Sequence, residues 1–123
     1  MSKRQAQVSE IFRRHISIVF QEQGIYIYGP QPLVTVTHVM VTTDLALAKV
    51  YLSIYNSDNP NRVMEQILLA QPMIRQNFYK RVRHHIRRVP ELDFYIDDTT
   101  EAADTEEALF QRLHAEHQMG EEE

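Results

Sequence analysis

The sequence predicts an α+β domain whose helices cover one face of a small three-stranded sheet. Three observations lead there. Helical periodicity opens the chain, two β-branched runs joined by a short turn follow, and helical pattern then returns ahead of a third alternating run. The element order is helix, strand, strand, helix, helix, strand, with an extra helix near the C-terminal end. At 123 residues, 43% apolar and 24% charged, the chain can bury one core and has an ordinary globular composition. Residues 1–98 are expected to form the folded unit, and residues 99–123 an acidic helix and tail.

Each element has its own signal. Over residues 5–22, Val8, Ile11, Phe12, His15, Ile18 and Val19 recur at three-and-four spacing, with Arg13, Arg14, Ser17 and Gln21 on the other side. The glycines and prolines of "GIYIYGPQP" are expected to end that helix in a loop. In "LVTVTHVMV", from Leu33, strict alternation points Val34, Val36 and Met40 one way and Thr35, Thr37 and Val39 the other. "TTD" at 42–44 supplies a turn. "LALAKVYLSIY" resumes the alternation, with Val50, Leu52 and Ile54 opposite Lys49, Tyr51, Ser53 and Tyr55, so the pair reads as an antiparallel hairpin. "NSDNPN" is a loop and helix cap. "RVMEQILLA" is a short helix that breaks near Pro72, because proline disfavours helical geometry in the residue before it. A second helix is expected over 72–89, where Pro90 stops it. "ELDFYID" alternates Leu92, Phe94 and Ile96 as the third strand, and "TTEAADTEEALFQRLH" has the capping threonines and early acids of a last helix.

Charge is distributed unevenly. Residues 1–90 carry 12 Lys/Arg against 5 Asp/Glu, whereas residues 91–123 carry 1 against 12, so a net charge of −4 conceals a basic body and an acidic end. No carboxylate occurs from Gln66 to Pro90, while Arg75, Lys80, Arg81, Arg83, Arg87 and Arg88 crowd there beside His84 and His85. On a continuous helix, Ile74, Phe78, Val82, Ile86 and Val89 share the apolar arc with His85. Lys80, Arg83, His84 and Arg87 then form a stripe on the reverse side, flanked by Arg81 and Arg88. Arg75 falls nearer the apolar arc and would snorkel outward. A solvated face of a core helix normally mixes Glu with Lys for i,i+4 pairing. This stretch forgoes every such pair, which favours a polyanion as its ligand, with phosphate contacts and salt-sensitive affinity. Lys49 and Tyr51 on the open face of the hairpin are candidates for charge and base stacking. Arg13 and Arg14, with Lys3 and Arg4, would widen the footprint if the first helix lies beside the basic one.

Other chemistry is not indicated. Three glycines leave no phosphate-cradling or dinucleotide loop, and the absence of cysteine excludes disulfides and thiolate sites. His114 and His117 in "HAEH" lack further ligands, and Asp97–Asp98 reads as helix capping. His15 and His38 lie on mostly apolar faces as core or rim histidines. Neither cofactor nor metal is called for, and an enzyme is not expected. The opening "MSKRQAQVSE" has no apolar core behind its charges, and no later stretch has the apolar length of a membrane span, so a cytoplasmic protein is expected.

Two stretches carry a family resemblance. "TTDLALAKVYLSIY" resembles the second-strand signature of ribosome-binding factor A, in which an acidic turn leads into D-L-x-x-A-x-V-Y. "IRQNFYKRVRHHIRRVPELDFYIDD" resembles that family's basic helix, its Pro-Glu-Leu stop and the strand after it. The resemblance runs from about residue 4 to residue 113 and implies a type II KH-like fold, whose element order is the one read above. It implies a monomeric, non-catalytic bacterial assembly factor that binds the small ribosomal subunit and its rRNA late in maturation, alongside other assembly factors. By position the RNA-facing role carries over onto Arg75, Lys80, Arg81, Arg83, Arg87 and Arg88. Where the family has an Ala-x-Gly kink, this chain has Ala70-Gln71-Pro72. The rival reading, from another class, is a protein-interaction module whose basic helix docks an acidic partner. The acidic C-terminal segment is expected to compete weakly with RNA.

Overall fold

A computed structural model describes residues 2–97. Helix α1 (Lys3–Tyr28) is followed by strands β1 (Leu33–Val41) and β2 (Leu47–Tyr55), helices α2 (Pro60–Leu69) and α3 (Gln71–Val82), and strand β3 (Glu91–Ile96). The sheet is mixed, in the order β1-β2-β3. β1 and β2 form the expected antiparallel hairpin, and β3 joins β2 in parallel after the α2–α3 crossover. The predicted order is therefore correct through β3. The expected C-terminal helix, the acidic tail, Asp98 and the His114/His117 pair lie outside the described residues.

Helix α1 begins at a capping box. The Gln5 backbone N–H donates to the Ser2 hydroxyl, and the Ser2 N–H donates to the Gln5 side-chain oxygen. The helix runs beyond the expected end near residue 22 and takes in Gly24 through Tyr28. Gly24 is buried and Tyr28, one turn on, lies directly over it, in space that a Cβ at position 24 would need. Ile27 and Tyr28 pack on the core, which outweighs the helix cost of one glycine, about 1 kcal/mol. The stop is Gly29, whose φ of 88° lies in the left-handed region, followed by Pro30.

Strand β1 departs from strict alternation. Its pairing with β2 shifts between Val36 and His38, a bulge that leaves Thr37 as the extra residue. One added residue reverses the parity, so Val39 and Val41 join Val36 in the core, and Met40 turns to the other side. β2 keeps its expected faces, with Val50, Leu52 and Ile54 buried inward. Asp44 builds the hairpin turn. Its carboxylate accepts from the Thr42 hydroxyl at 2.7 Å and the Ala46 N–H at 3.1 Å, and Leu45 adopts a φ of 60°.

All three helices lie on one face of the sheet. Phe12, Ile16, Val19 and Phe20 from α1 meet Val63 and Ile67 from α2, Ile74, Phe78 and Val82 from α3, and the inward residues of all three strands. Phe78 and Phe12 meet edge to face with ring centroids 5.0 Å apart, an arrangement that adds about 0.5–1.5 kcal/mol beyond the buried area. α1 and α3 are thereby held side by side.

Candidate nucleic-acid interface

Helix α3 stops at Val82, seven residues before the expected end at Val89. Residues 83–85 form a turn, with the His85 N–H donating to the Val82 carbonyl at 2.7 Å, and residues 86–90 run irregularly to β3. Two physical reasons account for the early stop. Further helix would have placed like charges at i,i+3 and i,i+4 with no acid to offset them. It would also have carried the chain about 10 Å farther along the α3 axis at 1.5 Å per residue, whereas Glu91 must start its ladder by donating to the Ala46 carbonyl at 2.9 Å. Ile86 packs on the core, and Pro90 is fully buried, so the loop is pinned at its middle and end.

The predicted continuous cationic stripe therefore splits into an anchored part and an exposed part. Lys80, in the last turn of α3, and Arg83, His84, Arg87 and Arg88 in the loop are all exposed. Among the described residues, no carboxylate stands at ion-pairing distance from Lys80, Arg83, Arg87 or Arg88. The Arg88 charge does reach the hairpin turn at the same end of the sheet. It contributes, after the Thr42 and Ala46 hydrogen bonds, to holding the Asp44 carboxyl below the usual carboxylate range.

Arg75 and Arg81 behave differently. Arg75 Nε donates to the Pro90 carbonyl at 3.2 Å and Nη2 to the Val89 carbonyl at 3.1 Å, with Glu91 Oε1 3.4 Å from Nη2. Arg81 turns towards α1, where its Nε donates to His15 Nδ1 at 3.3 Å and Nη1 lies 3.7 Å from Glu22 Oε1. The His85 ring sits 6.1 Å from that of His15. Partial burial, then the charges of Arg81, His85 and Arg14, push the His15 pKa below its ordinary value of 6.5. α1 does lie beside α3, and the basic groups of both helices converge on His15. Arg13 is committed to Glu10, donating to both its carboxylate oxygens at 3.0 and 2.6 Å, and Arg14 lies 3.8 Å from the same carboxylate.

Lys49 and Tyr51 occupy the sheet face turned away from the helices. Lys49 is half-buried and its register partner on β3 is Asp93. Tyr51 is 9% exposed, with its ring 5.3 Å from His38 and stacked 5.4 Å from Tyr95. Its ring faces are engaged within the protein, as an aromatic packed on a sheet would be, so the candidate role in stacking on bases does not fit this geometry. Between α2 and α3, Ala70 alone forms the kink, with φ −89° and ψ 5°, and Pro72 sits in the first turn of α3. The Gln71 side-chain amide donates to the Leu92 carbonyl, tying this kink to β3. Neighbouring Leu69 is 84% exposed, a surface leucine that amphipathic patterning did not single out. Sequence reasoning also missed the meeting of His15 with Arg81 and His85, since no local signal brings positions 15 and 81 together. Among the described residues, no cluster of three His, Asp or Glu side chains could hold a metal ion. No described helix is long and apolar enough to cross a membrane.

Fold and surface together define a small KH-like α+β domain with a one-sided cationic end. The family model of ribosome-binding factor A matches residues 4–110. A relative of that name from Chlorobaculum tepidum is 38% identical over 114 residues, covering 92% of each chain. The crystal structure of ribosome-binding factor A from Thermus thermophilus superposes with a TM-score of 0.62 at 19% identity, over 75% of this chain and 94% of that one. A Thermus thermophilus homology model fitted into a cryo-EM map of a 30S–RbfA complex gives a TM-score of 0.60 at 21% identity, over 83% and 100% of the two chains. The chain belongs to the ribosome-binding factor A family.

Proposed function

We propose that this protein binds the small ribosomal subunit through its rRNA and acts without catalysis as an assembly factor late in subunit maturation. The observation that carries this reading is the exposed cationic group formed by Lys80, Arg83, His84, Arg87 and Arg88, whose four Lys/Arg charges have no described carboxylate at ion-pairing distance. Like-charge crowding of this kind is offset most simply by phosphates, which release their counterions when a guanidinium replaces them. Family membership and the 30S complex of the Thermus relative support the choice of ligand. Contact is by shape and phosphate recognition, because the KH-like kink at Ala70 has no glycine for close backbone approach. Monomeric action in the cytoplasm, alongside other assembly factors, belongs to the same reading.

The test is sedimentation of the purified protein with ribosomal particles. Co-sedimentation with free small subunits but not with assembled ribosomes is expected. Equal binding to both particles, or to neither, contradicts the maturation role. Binding that survives nuclease digestion of the rRNA would instead favour an acidic protein partner.

A further inference from the structure

Arg75 stands apart from the other cations of the basic stretch. Arginine offers five N–H donors in a rigid planar fork. Here the fork closes on two consecutive carbonyls, those of Val89 and Pro90, with Glu91 balancing its charge. These carbonyls end the cationic loop immediately before β3 begins its ladder at Glu91. At its other end the loop is held by the last turn of α3, where the Arg83 N–H donates to the Tyr79 carbonyl at 2.9 Å. Ile86 anchors the middle against the core. The exposed pair Arg87–Arg88 is thus strung between the Ile86 anchor and the Arg75 fork.

We infer that Arg75 is a positioning residue: it clamps the 83–90 loop against α3 so that Arg83, Arg87 and Arg88 are presented in a fixed arrangement, and it does not itself contact phosphate. A neutral or single-point donor at position 75 would leave one or both carbonyls short of a hydrogen bond, and the loop would sample conformations in which its cations spread apart. RNA could still gather those cations, but it would have to order the loop on binding. The role rests on the RNA-facing reading of the loop, whereas the clamp itself does not.

The experiment uses the full chain, with Arg75→Gln, Arg75→Lys and, as a direct-contact control, Arg87→Gln. Amide hydrogen exchange is followed over residues 83–90 without RNA, with residues 74–82 as the check on folding. Binding to small-subunit rRNA is titrated across a salt series. Arg75→Gln is expected to speed loop exchange about tenfold, as loss of a hydrogen-bonded clamp should, and to leave 74–82 slow. It weakens RNA binding without changing the log–log salt slope. Arg75→Lys, which keeps the charge but not the fork, speeds exchange in the same loop to a smaller degree. Arg87→Gln leaves exchange unchanged and lowers the slope by about 0.7–0.9, one phosphate contact.

Loop exchange unaltered in both position-75 variants overturns the clamp. A slope lowered by Arg75→Gln with exchange unaltered makes Arg75 a direct phosphate ligand and overturns the positioning role. If Arg75→Gln also releases 74–82, Arg75→Lys decides: acceleration confined to 83–90 sustains the clamp, and none removes it. Accelerated exchange in a protein whose wild type binds rRNA without salt dependence leaves the clamp standing. It removes the RNA role and the reading on which that role rests.

Discussion

Within α3, Arg75 and Arg81 direct their guanidinium groups at the protein's own carbonyls, carboxylates and a histidine. Directly after α3, the loop holds Arg83, Arg87 and Arg88 out in solvent. The two segments are equally basic in sequence and opposite in use. A count of cations is therefore a poor measure of a binding surface. What matters is which of them the fold has already satisfied, because only an unsatisfied charge gains much from an incoming phosphate. The same division separates Arg13, held by Glu10 within α1, from exposed Lys80.

The sharpest way to break this contrast is to remove the anchor under α3. Phe78 is fully buried against Phe12, so Phe78→Ala should cost about 3–5 kcal/mol of stability in chemical denaturation. A loss below 1 kcal/mol would mean that α3 is not fixed by this contact. Replacing Arg83, Arg87 and Arg88 together by Gln should act on the other half alone. Stability should stay within about 0.5 kcal/mol. The loss of rRNA affinity over a fourfold rise in salt should become roughly fortyfold smaller, at about 0.9 of slope per lost contact. An unchanged slope would remove the loop from the interface.

A smaller effect is expected from His15, which faces Arg14, Arg81 and His85, with Glu22 reaching Arg81 from the same helix. Its folded pKa lies below 6.5, so between those two values the unfolded chain binds more protons. Stability therefore falls as pH drops below about 6.5 towards the folded value. His15→Gln should flatten that dependence in denaturation series at pH 7.5 and 5.5. Equal losses in both proteins would assign the acid sensitivity to other groups. The smallest effect belongs to Glu10→Gln, which breaks an exposed pair that solvent screens. It should leave the thermal midpoint nearly unmoved, and a shift of several degrees would show Arg13 to be an anchor comparable to Arg75.

Much of the fold was legible because burial and periodicity agree along β2, β3 and α3 as far as Val82. Leu52, Leu92 and Phe78 all sit where alternation or helical spacing put them. The failures share a cause. Gly24 looked like a helix stop, yet Tyr28 packs over it; Thr37 broke an alternation that a bulge absorbs; and the helix after Pro72 ended early to meet Ala46. Each was decided by a tertiary contact that no local window contains. At the candidate site, the stretch rich in charge was legible from its missing carboxylates. The separation of Arg75 and Arg81 from Arg87 and Arg88 was not, because it depends on where the chain turns after Val82.

The most direct test is photo-crosslinking to small-subunit rRNA from a probe at position 87, compared with one at position 95 on the opposite sheet face. Adducts from 87 and none from 95 are the predicted result. Adducts from 95 alone would place the RNA on the sheet and contradict the account.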